Sequence, residues 1–99
     1  MLLGRVVGTL VSTNKEPSLE GLKFLALRQL DIEGGEASGY RVAADAVGAG
    51  LGEVVLYATG SSARQTAVTD KRPCDAVIMA IVDSLAVDGE VTYDKSRDG

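Results

Sequence analysis

The amino-acid sequence predicts a small all-β domain, a barrel or sandwich of five or six short strands with at most one short helical turn. Two observations support this prediction: apolar segments of strand length recur along the chain, and glycine-rich turns separate them. The chain has 99 residues, of which 45% are hydrophobic and 4% aromatic. A chain of this length has room for one core, built from Val, Leu, Ile and Ala, and for no second domain.

The first half of the chain contains three predicted strands. Residues 2–13 are rich in Val, Leu and Thr and predict a strand that bends at Gly8. The polar residues 14–21 predict a loop. Residues 22–31 fit either a helix or a strand by composition, and we prefer a strand because turn residues flank them. We expect this strand to form a hairpin with a strand at residues 40–44.

The second half of the chain predicts three further strands. Residues 53–59 are β-branched and aromatic, and residues 76–82 form a continuous apolar run. A last short strand is expected at residues 90–93. The single barrel domain is therefore expected to span residues 1–93, followed by a charged, frayed tail at residues 94–99.

Between these strands, residues 60–66 predict a short helical turn, which Ser61 or Ser62 could cap at its N-terminus. The two hydroxyls, the helical N–H groups and Arg64 could together form a small anion site. Alternatively, Arg64 pairs with a carboxylate of a neighbouring subunit. We prefer the second interpretation, because the sequence GSSAR alone is a weak indication of an anion site.

Two of the predicted strands carry apolar residues on both faces, although a strand with one wet face should alternate apolar and polar residues. Because a single barrel layer in so short a chain cannot bury both faces, we expect another copy of the chain to cover the second face. The alternative is that the chain's own loops or terminal strand cover it. In the strand at residues 22–31, one face carries Leu22, Phe24 and Ala26 and the other carries Leu25 and Leu27. In the strand at residues 76–82, one face carries Val77, Met79 and Ile81 and the other carries Ile78, Ala80 and Val82.

The charge and the residue types exclude several classes of function. The net charge of -4 argues against binding nucleic acid or an anionic membrane surface. Histidine is absent and Cys74 is the single cysteine, so an intrachain disulfide and a zinc site of several thiolates are excluded. We expect no catalytic residues, no metal and no cofactor. A lone thiol and the lack of a signal peptide indicate a soluble, cytoplasmic protein.

Two patterns that could indicate chemistry have simpler interpretations. The glycines of residues 48–52 have the spacing G-x-G-x-G and precede a strand, not the helix that would hold a pyrophosphate, so they predict a tight turn. Asp45, Asp75 and Asp83 adjoin apolar runs, where acids mostly end strands and accept backbone hydrogen bonds. Cys74 has no activating partner nearby in sequence and is interpreted as an inert thiol.

Three sequence blocks contain the most distinctive residues of the chain. They are GTLVSTNK with PSLEGLKFL, then VAADAVGAGLGEVVL leading into GSSAR, and finally RPCDAVIMAIVD. Together they resemble the CcmL/EutN family of bacterial microcompartment vertex proteins, in order and in spacing, over residues 6–83. The segment PSLEGLK and the extension after Asp83 most resemble the carboxysome branch of that family. Phe24 and Cys74 stand where other residues are expected.

This resemblance implies an OB-like β-barrel that assembles as a cyclic homopentamer. It implies a structural protein of the carboxysome shell, supporting enclosed CO2 fixation, whose pentamers close the vertices between sheets of shell hexamers. It implies no enzymatic activity and no nucleic-acid or membrane partner. The implied subunit-interface or pore residues are Ser12, Thr13, Asn14, Asp45, Gly60, Ser61, Ser62, Ala63 and Arg64.

Three classes of function therefore need to be distinguished. The first is a vertex pentamer, of a carboxysome or alternatively of a metabolosome-type microcompartment. The second is an OB-like module that binds oligonucleotides or a small ligand, which the few aromatic residues and the negative charge disfavour. The third is a small hydrolase or acid–base catalyst that uses Asp45, Asp75 or Ser62, which only the residue types support.

Overall fold

The described chain folds as a closed five-stranded barrel followed by a two-stranded hairpin. A computed structural model describes residues 1–13, 15–33 and 35–98. None of the helices in these ranges is long and apolar enough to cross a lipid bilayer. The strands are β1 (Leu2–Leu10), β2 (Phe24–Leu30), β3 (Glu36–Asp45), β4 (Val54–Thr59), β5 (Ala76–Ile81), β6 (Ser84–Val87) and β7 (Glu90–Asp94); Pro17–Leu19 and Gly60–Arg64 are 3-10 turns, and α1 is Lys95–Asp98.

The barrel has the strand order β1-β2-β3-β5-β4, and β4 pairs with β1 to close it. The pair of β3 and β5 is parallel, with Ala44 opposite Val77 and Asp45 opposite Ile78. The other barrel pairs are antiparallel. A five-stranded barrel with this order has the topology of an OB-fold, so the predicted fold class is confirmed.

Strand β1 bends where the sequence predicts it. Its register against β2 shifts between Val6 and Gly8, which is the pattern of a β-bulge. The backbone N–H of Val6 donates to the Glu53 carbonyl over 2.9 Å, and the Gly52 N–H donates to the Val6 carbonyl over 2.8 Å. The bulge therefore lies beside the turn that precedes β4.

The barrel interior is an aliphatic core with one tyrosine. Alternate residues of β2 point inward, and Val6 of β1 and Ile78 of β5 join them in the barrel interior. Each such side chain contributes about 1.5–3 kcal/mol when fully buried. The largest fully buried side chains in this cluster are Tyr57, Leu25, Leu27, Ile78, Val6 and Val55.

Strand β6 is absent from the sequence prediction, and β3 begins earlier than predicted. Strands β6 and β7 form a hairpin whose tip residues, Asp88 and Gly89, both have positive φ, at 53° and 80°. Positive φ at two successive residues is typical of a type I′ turn, for which Asp-Gly is a preferred sequence. The sequence therefore contained an indication of this hairpin that the prediction overlooked.

The residues after β7 are docked on the barrel, which corrects the prediction of a frayed tail at residues 94–99. Lys95–Asp98 form one turn of helix, and the backbone N–H of Lys95 donates to the Asp83 carbonyl over 2.8 Å. The Lys95 ammonium lies 2.5 Å from a carboxylate oxygen of Glu53. The charged composition of this segment could not reveal a partner so distant in sequence. Gly99 lies outside the described residues.

Candidate subunit interface

The sequence GSSAR forms the predicted short helical turn, and its first residue fixes its geometry. Gly60 has φ +64°, and its N–H donates to the Asp75 carbonyl over 2.9 Å. An added Cβ would meet no atom within 4 Å, so glycine is needed for its left-handed backbone and not for space. Thr59 occupies the N-cap position without a capping side-chain bond. The prediction that Ser61 or Ser62 caps this turn is therefore wrong, and both residues are exposed.

Ala63 attaches this turn to the outer side of the barrel. It is fully buried and packs with Ala44, Ala58 and Val77. The chain's own turn thus covers the outer side of β5 at Val77. At Val77, the chain's own turn therefore supplies the cover that we expected from another copy, whereas Met79 and Ala80 stay half-buried.

Arg64, the last residue of the turn, projects an exposed positive charge. Within the described residues, no carboxylate forms an ion pair with it. Burial raises the pKa of the nearby Cys74 thiol, an effect that the charge of Arg64 partly offsets. The thiol is therefore protonated at neutral pH, which agrees with its interpretation as inert.

Asp45 is an internal anchor for the glycine-rich turn. Its carboxylate accepts hydrogen bonds of 3.0 Å from the backbone N–H groups of Val47, Gly48 and Ala49. It also lies 3.6 Å from the Lys23 ammonium, and its side chain is only 2% exposed. The predicted tight turn at residues 48–52 is confirmed, and the Asp45 carboxylate holds it in place. That Asp45 also lies at a subunit interface stays a prediction.

A hollow with apolar walls lies outside β2, next to the end of β1. Phe24 lines this hollow and also packs against the alanine cluster that holds Ala63, so the hollow and the GSSAR turn adjoin. Lys23, the partner of Asp45, and Ser12 lie at its rim. We call its apolar members the first patch: Leu10, Val11, Leu19, Leu22, Phe24 and Val42.

A second apolar surface lies at the opposite end of β1. Met1 and Ile32 are its most exposed members, and Leu85 reaches it from the C-terminal hairpin. Because β1 has nine residues, the two ends of the strand are roughly 27 Å apart. We call this surface the second patch: Met1, Leu2, Leu3, Leu30, Ile32, Leu56 and Leu85.

Comparison with known proteins identifies the family. The family described as "Ethanolamine utilisation protein EutN/carboxysome" matches residues 1–83. This chain belongs to the EutN/CcmL family. The resemblance predicted from the three sequence blocks is thereby confirmed. The family match ends just before β6, so the C-terminal hairpin lies beyond it.

Relatives of this chain within the EutN/CcmL family are named as shell vertex proteins. The carboxysome shell vertex protein CcmL of Gloeobacter violaceus is 53% identical over 95 residues, which are 96% of this chain and 95% of the relative. The bacterial microcompartment shell vertex protein PduN of Salmonella typhimurium is 44% identical over 90 residues, or 87% of this chain and 99% of the relative.

Solved structures of family members have the same fold. The structure of Gloeobacter violaceus CcmL has a TM-score of 0.92 and 52% identity, covering 97% of this chain and 99% of that chain. The GrpN pentameric microcompartment shell protein from Rhodospirillum rubrum has a TM-score of 0.80 and 41% identity, covering 88% of this chain and 99% of that chain. The barrel is therefore the common element of the family.

The structure places most predicted interface residues at one end of the barrel. Ser12 lines the hollow of the first patch, Thr13 follows it as an exposed residue, and the GSSAR turn adjoins the hollow through Phe24. Asn14 lies outside the described residues. That these residues form a subunit contact or pore stays a prediction. The other patch members were not predicted, because they come from separate segments that only the folded chain brings together. They are Leu10, Val11, Leu19 and Val42.

The candidate catalytic acids do not converge. Asp75 and Asp83 are exposed and flank β5, which separates them by roughly 20–25 Å. Both carboxylate oxygens of Asp45 are engaged by backbone N–H groups. Within the described residues, no group of three or more His, Cys, Asp or Glu side chains could hold a metal ion. Asp75 and Asp83 are thus too far apart to act as a carboxylate pair, and the Asp45 carboxylate is already engaged by backbone groups.

Proposed function

We propose that this chain is a carboxysome shell vertex protein, a non-enzymatic structural unit that works as a cyclic homopentamer inside the cell. Its relatives named CcmL are 44–53% identical to it, whereas GrpN, PduN and EutN relatives from other microcompartments are 37–44% identical. These comparisons favour the carboxysome over other microcompartments.

The observation that carries the proposal is the pair of apolar patches at opposite ends of β1. Because the two patches lie at opposite ends of one strand, the first patch of one copy can contact the second patch of the next copy. When a patch of one copy contacts a different patch of the next, the arrangement is head-to-tail and closes into a ring if the rotation between neighbours allows it. Burial of both patches in such a ring removes apolar surface that a solitary chain would expose. The number five is supported by the similarity to GrpN, which is described as a pentameric shell protein.

The exposed charge of Arg64 supports the same contact. It stands beside the first patch on a chain of net charge -4, so a neighbouring copy offers an excess of carboxylates. We propose that Ser12, Thr13 and the residues of the GSSAR turn form the rim of this contact, and that Asp45 supports it indirectly by holding Lys23. Shell hexamers are the proposed neighbours of the ring, because a flat hexagonal sheet closes only where fivefold units replace hexamers.

Native mass spectrometry on exposure-matched variants tests this proposal. We expect the unmodified protein to have five times the 10.3 kDa mass of the chain. Val11→Asp in the first patch and Ile32→Asp in the second should each release monomers, since a buried charge without a partner is costly. Leu51→Asp is the control, because Leu51 is 67% exposed, comparable to Val11 at 87% and Ile32 at 64%, but belongs to neither patch.

A monomeric unmodified protein at micromolar concentration would contradict the ring. Equal dissociation by Leu51→Asp would contradict the assignment of the patches. The carboxysome assignment is tested separately, by expressing this chain in a cyanobacterium that lacks its own vertex protein. We expect closed carboxysomes to return, and failure there together with closure of an ethanolamine-type shell would favour the other microcompartment class.

A further inference from the structure

A cavity of about 200 Å3 lies between the barrel and the C-terminal hairpin. The proposed function uses none of its polar residues, although three of its leucines belong to the second patch. Its position is set by β1 and β4 on one side and by β7 and α1 on the other. Four of its lining residues are polar or charged and face four aliphatic ones, with Tyr93 between the two groups. The polar members are Arg5, Thr92, Arg97 and Asp98, and the aliphatic members are Leu3, Leu30, Val54 and Leu85.

Arg5 brings a half-buried guanidinium to this cavity. One of its nitrogens donates to the Gly52 carbonyl over 2.7 Å, which fixes the side chain in place. Its central carbon lies 6.0 Å from the centre of the Tyr93 ring. Among the described residues, no carboxylate forms an ion pair with Arg5. An oriented guanidinium with unused N–H groups is the group that binds carboxylates best.

Tyr93 supplies a hydroxyl that lacks a partner. The residue is 4% exposed, and within the described residues its hydroxyl makes no hydrogen bond. Buried polar groups in folded proteins are nearly always hydrogen-bonded, so such an exception needs an explanation. The hydroxyl itself is enclosed by protein, so the part of Tyr93 that lines the cavity is its ring, which lies near the Arg5 guanidinium.

The cavity has a local charge opposite to that of the whole chain. Arg97 lies 2.7 Å from Asp98 and holds the pKa of that carboxyl down at about 2, with a smaller contribution from Arg5. Asp98 is therefore ionised at neutral pH, and the cavity lining contains two guanidinium groups and one carboxylate. An anion is thus the charge type that the cavity favours, on a chain whose net charge is -4.

We propose that this cavity binds a small carboxylate with a short aliphatic chain. Arg5 would hold the carboxylate beside the Tyr93 ring, and the aliphatic part would contact Leu3, Leu30 and Leu85. The cavity is smaller than the roughly 300–1,000 Å3 of sites for drug-sized ligands, so the ligand has only a few heavy atoms. Because the same three leucines also belong to the second patch, the carboxylate can come from a free compound or from an acidic side chain of a neighbouring copy.

Asp98 is a built-in competitor in this arrangement. It holds Arg97 and brings a negative charge to the cavity wall, so it opposes any incoming carboxylate. Asp98→Asn removes that charge. We therefore expect this substitution to strengthen ligand binding several-fold, whereas a purely structural role of the Arg97–Asp98 pair predicts no change in affinity.

Nuclear magnetic resonance titration with sodium butyrate tests the proposal on the full chain. We expect saturable shifts of the Tyr93 ring and the Arg5 side-chain N–H resonances. Arg5→Gln should weaken binding about tenfold or more, because charge-assisted hydrogen bonds are the stronger ones. Tyr93→Phe removes only the enclosed hydroxyl and should change the affinity little. Arg28→Gln is the matched control, because Arg28 also stacks on a tyrosine, Tyr40, at 4.9 Å but does not line the cavity. n-Butanol, which lacks the charge, should not compete.

The outcomes separate the two sources of the carboxylate. Saturable butyrate binding that depends on Arg5 supports a free ligand. If butyrate does not bind, but Arg5→Gln lowers the mass of the assembly while Arg28→Gln does not, the carboxylate belongs to a neighbouring copy. The proposal is overturned if butyrate does not bind and the mass of the assembly also stays unchanged. Equal competition by n-butanol overturns it as well. The titration is informative whether the chain is a monomer or a ring, so its failure is distinct from failure of the proposed function.

Discussion

Strands β2 and β5 share one sequence pattern, apolar residues on both sides, but they are covered in different ways. The outer side of β5 at Val77 is fully buried beneath Ala63, which the GSSAR turn brings back over the barrel. The outer side of β2 at Phe24 stays half-exposed, and its neighbours Leu10 and Val42 are exposed. A two-sided apolar strand thus indicates that a cover exists, but not whether the same chain or another copy supplies it.

The largest effect is expected on the inner side of β2. Leu27→Ala should lower the free energy of unfolding by about 2–5 kcal/mol, because Leu27 is fully buried and the substitution leaves a cavity. Chemical denaturation measures this loss. Leu51→Ala is the control, since Leu51 is exposed and should change the free energy of unfolding by less than about 0.5 kcal/mol. Similar losses for the two variants would contradict the assignment of Leu27 to the core.

Whether the GSSAR turn covers β5 can be tested with a larger side chain at Ala63. Ala63→Leu should cost about 1–3 kcal/mol of unfolding free energy, because Ala63 has no exposed surface and the larger side chain must displace the turn. Hydrogen exchange at residues 60–64 should become faster. Ala67→Leu, at an exposed position three residues beyond the turn, should leave both quantities unchanged. A stable Ala63→Leu variant with unchanged exchange would show that the turn does not cover β5.

The outer side of β2 and β3 should respond differently, through assembly and not through folding. Val42→Thr keeps the shape and the β-branched character of the side chain but makes the first patch more polar. We expect the free energy of unfolding of the isolated chain to change by less than about 0.5 kcal/mol, as for other surface substitutions. Sedimentation should show a larger monomer fraction at low protein concentration. A fold as destabilised as that of Ala63→Leu would remove the distinction between the two strands.

The smallest effect is expected where the C-terminal turn is fixed by charge. The Lys95 hydrogen bond lowers the pKa of Glu53, and the same bond raises the pKa of Lys95. The stabilisation of the folded chain by this ion pair is therefore present above the ordinary glutamate pKa of 4.5 and is lost as the pH falls through the lowered pKa of Glu53. It is also lost at high pH, as the pH rises through the raised pKa of Lys95. Lys95→Met should be slightly less stable than the unmodified protein at pH 7.

Denaturation of the Lys95→Met variant at a series of pH values tests this dependence. The difference from the unmodified protein should shrink steadily as the pH falls below about 4. Lys15→Met, at an exposed lysine for which no ion pair is seen within the described residues, should show no such dependence. A difference that is constant with pH would mean that Lys95 contributes by packing of its aliphatic part.

The positions of the barrel strands could be predicted because short apolar runs and glycine-rich turns are local properties of the sequence. The predicted hairpin of β2 with β3 is confirmed. The parallel pairing of β3 with β5 could not be predicted, since the contact of Ala44 with Val77 joins segments far apart in the chain. Strand β6 was missed although Asp88 and Gly89 form a preferred hairpin turn. Its four residues are too few to show a recognisable alternation of apolar and polar residues.

The candidate interface was predicted only in part, for a similar reason. The family resemblance singled out the GSSAR turn, and the two-sided pattern of β2 singled out Phe24. The role of Ala63 as a cover was not foreseen, because an alanine has no chemistry that distinguishes a buried contact from an exposed one. Val11 was also missed, since its place in the first patch depends on how β1 ends beside Phe24.

The bulge at Gly8 has a geometric consequence for any assembly built on this chain. Both proposed contact surfaces adjoin the same strand, one on each side of the bend between Val6 and Gly8. In a head-to-tail ring, the angle between these two surfaces determines how many subunits close the ring. A local irregularity of one residue can therefore set the curvature of an object many times larger than the polypeptide.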